Sequence, residues 1–130
     1  MNIKLPYATS YKELTAYIQS MELAEHIFRL SIEFPNAETY ALTDQIRRSS
    51  RSIGAQITES WGKQRYIRHF ISKLTDAYAE CYETEHWISV AIQCGYWDGE
   101  IAAKLNKDCT RVCQLIGGMI AKANHFCDYK

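Results

Sequence analysis

From Phe70 to Ala91 the small and apolar residues fall at Phe70, Leu74, Ala77, Cys81, Thr84, Ile88 and Ala91, in alternating steps of four and three. That spacing lines one side chain per turn along a single face of an α-helix, whereas on a strand it would scatter them over both faces. It predicts one long amphipathic helix over about 64–93, with Gly95 as its terminator. The only prolines are Pro6 and Pro35, and both sit where helices are not expected.

Three more segments share the period. Ser10 followed by Glu13 is a capping-box pattern. It opens a helix over about 10–32 with Leu14, Tyr17, Ile18, Met21, Ala24 and Phe28 as its stripe. The helix must stop ahead of Pro35, because the residue before proline disfavours helical dihedrals. Leu42, Ile46, Ser49, Ile53 and Ile57 mark a second helix over about 39–60, ended by Gly62, and its small residues suit a close helix neighbour. Asp98 is the expected N-cap of a helix over about 98–126 carrying Ile101, Leu105, Val112, Ile116, Met119, Ala123 and Phe126. Strand patterns are absent. Four long helices on short connections predict an all-α fold: an antiparallel up-down-up-down four-helix bundle, one domain over residues 1–130. Gly117 and Gly118 should each cost about 1 kcal/mol within the last helix, which points to a close approach or a bend there.

A hydrophobic content of 47% with 23% charged residues suits a soluble globular chain rather than a disordered one. No apolar run approaches the roughly 18 residues a membrane span needs. The opening residues lack an apolar signal core, so a cytoplasmic protein is expected. The five cysteines, Cys81, Cys94, Cys109, Cys113 and Cys127, form no Cys-x-x-Cys pair. They are expected reduced, as small buried hydrophobes. The apolar stripes are wider than one core needs, since Leu23, Ile27 and Leu30 add to helix one and Ile67, Ile71, Tyr78 and Trp87 to helix three. With nine tyrosines and three tryptophans, that width predicts a homo-oligomer.

The formal net charge is zero, but its distribution is uneven. Residues 44–73 hold seven Lys and Arg against Asp44 and Glu59, a local +5, while the flanking segments are acidic. Arg47, Arg48 and Arg51 lie on the polar side of helix two, and Lys63, Arg65 and Arg68 follow across the turn. Guanidinium groups bind phosphate bidentately, so this cluster is the candidate RNA- or DNA-binding surface. The alternative is pairing with Glu80, Glu83 and Glu85, or with a neighbouring subunit, in a structural scaffold.

Chemistry beyond binding finds little support. Glu83 and His86 form a Glu-x-x-His motif, but a carboxylate-bridged di-iron site needs two such motifs and two further glutamates. No second motif exists, and Glu22, His26 and Glu59 do not complete the set. No nucleophile elbow or phosphate-cradling glycine loop occurs. No catalysis, metal or cofactor is expected.

The run Leu42-Thr-Asp-Gln-Ile-Arg-Arg48 with the later Ser52-Ile53 is specific. So are Phe34-Pro35, Arg68-His-Phe70, Glu80-Cys-Tyr-Glu-Thr84 and Gly95-Tyr96. Together they make the chain resemble the four-helix bundle family encoded in intervening sequences of bacterial 23S rRNA genes, from about Tyr11 to Phe126. Departures occur at Gln56-Ile-Thr-Glu-Ser60, where the family reads Asn-Ile-Ala-Glu-Gly, and at Asp76-Ala-Tyr78, where it tends to read Gly-Ser-Leu. The resemblance implies a homopentamer with no known enzymatic activity. Kinship with the accessory bundle proteins of diversity-generating retroelements implies nucleic-acid or ribonucleoprotein binding. Gln45, Glu59, Glu80, Glu83 and Thr84 fit the family pattern and form a candidate polar layer with Arg47 or Arg48.

Overall fold

The computed structural model describes residues 8–127, and no strand occurs among them. Four long helices, α1 (Thr15–Leu30), α2 (Asp44–Trp61), α3 (Ile67–Gln93) and α4 (Gly99–Ala121), are followed by a short α5 (Ala123–Phe126). Each long helix packs on its neighbour in sequence, and α1 closes against α4. The two ends of the bundle show the antiparallel order. At one end Trp97 donates its indole N–H to the Leu30 carbonyl (3.0 Å), joining the end of α1 to the start of α4. At the other, Gln64 donates to the Phe126 carbonyl (3.0 Å), and Phe126 stacks on Phe70 with ring centres 5.5 Å apart.

The predicted α3 stripe is the buried stripe: all seven residues are inaccessible to solvent. Fully burying side chains such as Phe70, Leu74 and Ile88 stabilises the fold by roughly 1.5–3 kcal/mol each. The helix starts three residues later than expected, because residues 62–66 form a tight turn with Lys63 N–H on the Ser60 carbonyl and Tyr66 N–H on the Lys63 carbonyl. It ends as predicted at Gly95, whose φ of +77° lets the Tyr96 and Gly95 N–H groups reach back to the Ala91 and Ile92 carbonyls. Asp98 caps α4 through the Ile101 N–H (2.8 Å). That last helix is not continuous to 126, since Lys122 leaves the helical region and α5 restarts beyond it. A Cβ at Gly117 would overlap the Tyr78 hydroxyl, so this glycine accommodates a close approach of α3 and α4; Gly118 meets no neighbour.

Helix one departs most from expectation. Ser10 caps only a 3-10 turn, Tyr11–Glu13, and Leu14 is extended, so the α-helix begins at Thr15. The Glu13 carboxylate reaches Thr9 (2.7 Å to its hydroxyl) instead of closing a capping box on Ser10. The buried face is Ala16, Ser20, Leu23, Ala24 and Ile27, while Ile18, Met21 and Phe28 of the expected stripe are exposed. Close contact with α2 explains the choice: a Cβ on Gly54 would lie 3.1 Å from the Ser20 hydroxyl oxygen. Ser20 fills the centre of that seam, and Met21 and Tyr17 flank it with atoms 3.6 and 3.8 Å from the same position.

All five cysteines are free thiols; Cys81, Cys109 and Cys127 are buried as expected, Cys113 is half-buried, and Cys94 at the end of α3 is exposed. The neighbouring Cys109 and burial both push the Cys81 thiol upward. No helix among the described residues is long and apolar enough to cross a membrane.

Candidate nucleic-acid interface

The six candidate cations do not form one patch. A helix turns about 100° per residue, so Arg47 and Arg48 leave α2 toward different neighbours. Arg48 turns to α3, where it forms an ion pair with Glu83 and lies 3.5 Å from Glu80. The same Glu83 oxygen accepts the Trp87 indole N–H (3.1 Å). Glu80 has a side chain only 17% exposed, and its Oε2 lacks a hydrogen bond, so Arg48 is the group that offsets its charge. Arg47 turns to α1: its Nε donates to the Ser31 hydroxyl (2.8 Å) and its guanidinium lies 4.6 Å from the Phe28 ring centre. Arg51 covers the same ring at 5.3 Å. Neither Arg47 nor Arg51 has a carboxylate within ion-pair distance among the described residues. A shallow depression of about 630 Å³ lies along this face, lined by Asp44, Gln45, Arg47, Arg48, Arg51, Ser52 and Ala55.

Part of the expected polar layer assembles. Glu80, Glu83 and Thr84 come together with Arg48, and the buried Thr84 hydroxyl donates to the Glu80 carbonyl (2.8 Å) and meets the Ser49 hydroxyl at 3.0 Å. Gln45 stands apart, turned back to the Tyr40 carbonyl (3.4 Å), and Glu59 pairs with Lys73 (3.3 Å) about 16 Å further along α2. Sequence reasoning missed Ser49 and Trp87 as members. Ser49 carried a usable signal, since a hydroxyl inside an apolar stripe needs a partner, and Thr84 is the matching hydroxyl on α3. Of the three departures from the family pattern in α2, Thr58 donates to the Gly54 carbonyl (2.9 Å), Ser60 is buried and donates to the Ile57 carbonyl (2.6 Å), and Gln56 has a buried amide oxygen without a hydrogen-bond partner.

Lys63, Arg65 and Arg68 occupy the other location, the turn between α2 and α3 and the first turn of α3. All three are exposed. From Ser60 through Thr75, sixteen residues pass without an Asp or Glu. The first turn of α3 has no acidic residue and no side-chain cap, so the positive end of the helix adds to the local potential. Among the described residues no carboxylate lies within ion-pair distance of Lys63 or Arg68. Tyr66 sits in the middle, 48% exposed, with the Arg65 guanidinium 5.8 Å from its ring centre and the His69 ring 5.5 Å away at its edge. Lys73, counted in the local +5, is held 3.3 Å from both Glu59 and Asp76.

The Glu83-x-x-His86 motif is occupied by other work. Glu83 serves Arg48 and Trp87, and His86 lies against the Trp87 ring at 4.7 Å. Among the described residues no three His, Cys, Asp or Glu side chains gather to hold a metal ion.

A family model described as 23S rRNA-intervening sequence protein matches residues 12–118. Among solved structures, the chain is similar to a protein of unknown function from the S23 ribosomal protein family of Bacteroides thetaiotaomicron. The two share 29% identity with a TM-score of 0.71, over 82% of this chain and 98% of that one. A search of curated proteins finds no match.

Proposed function

The chain belongs to the 23S rRNA-intervening sequence protein family, and from that premise we propose a cytoplasmic, non-catalytic homo-oligomer that binds RNA or DNA through a basic surface. The observation that carries this reading is the acid-free stretch from Ser60 through Thr75, which exposes Lys63, Arg65 and Arg68 at one end of the bundle. Lys63 and Arg68 have no carboxylate within ion-pair distance among the described residues, so their charge is open to phosphate, and binding it releases counterions from the nucleic acid. Arg48 supports the scaffold alternative for its own position, because its charge is committed to Glu80 and Glu83.

Absence of catalysis is supported by what the reactive groups already do: Glu83 is held by Arg48 and Trp87, the neighbouring Cys109 and burial raise the Cys81 thiol, and burial raises the Cys113 thiol, away from thiolate character. Self-association is supported by the apolar row that α1 and its end turn outward, Ile18, Met21, Phe28 and Ile32. The family resemblance makes a pentamer the stoichiometry to test, and a ring would multiply each weak phosphate contact through avidity.

The test is a titration of labelled structured RNA and duplex DNA at two salt concentrations. The Lys63/Arg65/Arg68→Ala variant should bind far more weakly, with the salt slope reduced by about 3. Absent or salt-independent binding by the wild type would sink the reading. Light scattering checks assembly: Ile18→Glu with Met21→Glu should yield monomers, and an unchanged oligomer would remove α1 from the interface.

A further inference from the structure

We infer that the face shared by α1 and α2 docks on the α3–α4 face of a second copy of this chain, with Arg47 and Arg51 of one protomer meeting the partner's Glu85. The inference rests on the self-association reading above and names the surface that the outward row of α1 meets. Phe28 decides what chemistry can cover that row. The Arg47 and Arg51 guanidiniums lie 4.6 and 5.3 Å from its ring centre, and neither has a carboxylate within ion-pair distance among the described residues. A partner that covers Phe28 therefore takes both cations out of water, and a desolvated charge is tolerated only where an anion meets it. A purely apolar partner fails that condition. So does a second copy presenting this same face, because a two-fold contact centred here sets arginines against arginines. The opposing surface has to be apolar with a carboxylate in its middle.

The α3–α4 face has that composition, and the closed order of the four helices puts it across the bundle from the α1–α2 face. Tyr82, Glu85 and Ile92 follow one another at helical spacing on α3, and Tyr82 and Ile92 are both exposed. Glu85 is half-buried between them, beside Cys113 of α4: burial first, and then the Glu85 charge, push that thiol up. The other α3 carboxylates are committed, Glu80 and Glu83 to Arg48 and Asp76 to Lys73. Glu85 has no cation within ion-pair distance among the described residues. On α4 the residues in line with Cys113, namely Asn106, Thr110 and Gly117, carry no charge. The heights agree as well. Arg48 pairs with Glu83 and Ser49 meets Thr84, so Glu85 sits at the level of Arg47. Ile32 and Ile92 both lie toward the end of the bundle where Trp97 is tied to Leu30. The two faces thus meet without axial offset, as a head-to-tail contact that closes into a ring requires.

The test is analytical ultracentrifugation of the full chain over a range of concentrations, with circular dichroism melts to establish that each variant is folded. Glu85→Arg should weaken self-association about a hundredfold, Arg47→Glu with Arg51→Glu by at least as much, and Glu85→Gln about tenfold. All three reversals in one chain should restore the wild-type assembly, because opposite charges again face each other across the contact. An equimolar mixture of Glu85→Arg with the Arg47→Glu/Arg51→Glu variant should also associate although neither does alone. The Glu85 variants read the contact even where arginine reversal disturbs the fold. If Ile18→Glu with Met21→Glu gives monomers while Glu85→Arg and Glu85→Gln assemble like wild type, the pairing is overturned and self-association through α1 stands. A folded triple reversal that stays monomeric overturns the pairing too. Arginine reversal that leaves assembly intact and abolishes RNA binding overturns it and assigns the face to phosphate. A wild type that is monomeric at every concentration overturns both readings.

Discussion

The middle of α2 and the tip beyond it each carry three cations, yet the fold treats them differently. Arg48 balances a largely buried carboxylate on α3, while Arg47 is hydrogen-bonded to Ser31 and shares the Phe28 ring with Arg51. These side chains join α2 to its neighbours. At the tip, Lys63, Arg65 and Arg68 project from the segment with no acidic residue between Ser60 and Thr75. The contrast separates charge that joins neighbouring helices from charge exposed at one end of the bundle. A run of arginines in sequence does not make that distinction, because it depends on what each guanidinium meets in three dimensions.

The comparison can be broken in descending steps. Replacing Lys63, Arg65 and Arg68 together by alanine should weaken nucleic-acid binding about a hundredfold at low salt while leaving the urea midpoint unmoved; a matched loss of stability would show that the tip is structural. Arg48→Ala should do the reverse, costing about 1–2 kcal/mol in urea unfolding with affinity changed less than about twofold. The estimate lies between exposed and buried pairs because Arg48 is half-exposed while Glu80 is not. Glu80→Gln added to Arg48→Ala should recover part of that loss, since it removes the uncompensated charge. Thr84→Val should cost about 1 kcal/mol by breaking the buried contact with Ser49, measured the same way. Phe28→Leu should cost only about 0.5 kcal/mol, because the two arginines that cover the ring remain partly solvated. A larger loss there would mean that Phe28 is covered in the assembled protein.

The buried face of helix three was readable because its steps of four and three mark one face, and that face is buried without exception; only its start was misplaced, by the turn that precedes it. Helix one offered two apolar stripes of similar strength. Hydrophobicity favoured Ile18, Met21 and Phe28, but the seam with Gly54 admits the small Ser20, and Leu23 and Ile27 enter the core with it. Local spacing cannot rank two faces when the deciding contact lies on another helix. The candidate site divides the same way. The local positive charge is plain from residue types, and so is the suitability of Glu80 and Glu83 as partners. That Arg48 alone of the α2 arginines takes them, and that Glu59 goes to Lys73, depends on helix rotation and axial offset.

Short-range physics was sufficient for four helices, the Gly95 stop and the Asp98 cap, because periodicity, backbone freedom and capping act within a few residues along the chain. The kinship of the chain was equally legible, since it is carried by a contiguous run of residue types. Tertiary structure alone decided which side of α1 faces the core, which arginines became part of the bundle, and that Tyr66 stands exposed among cations. Each of those outcomes is set by the distance between groups far apart in the chain, and helix packing determines that distance through the size of the side chains at the contact.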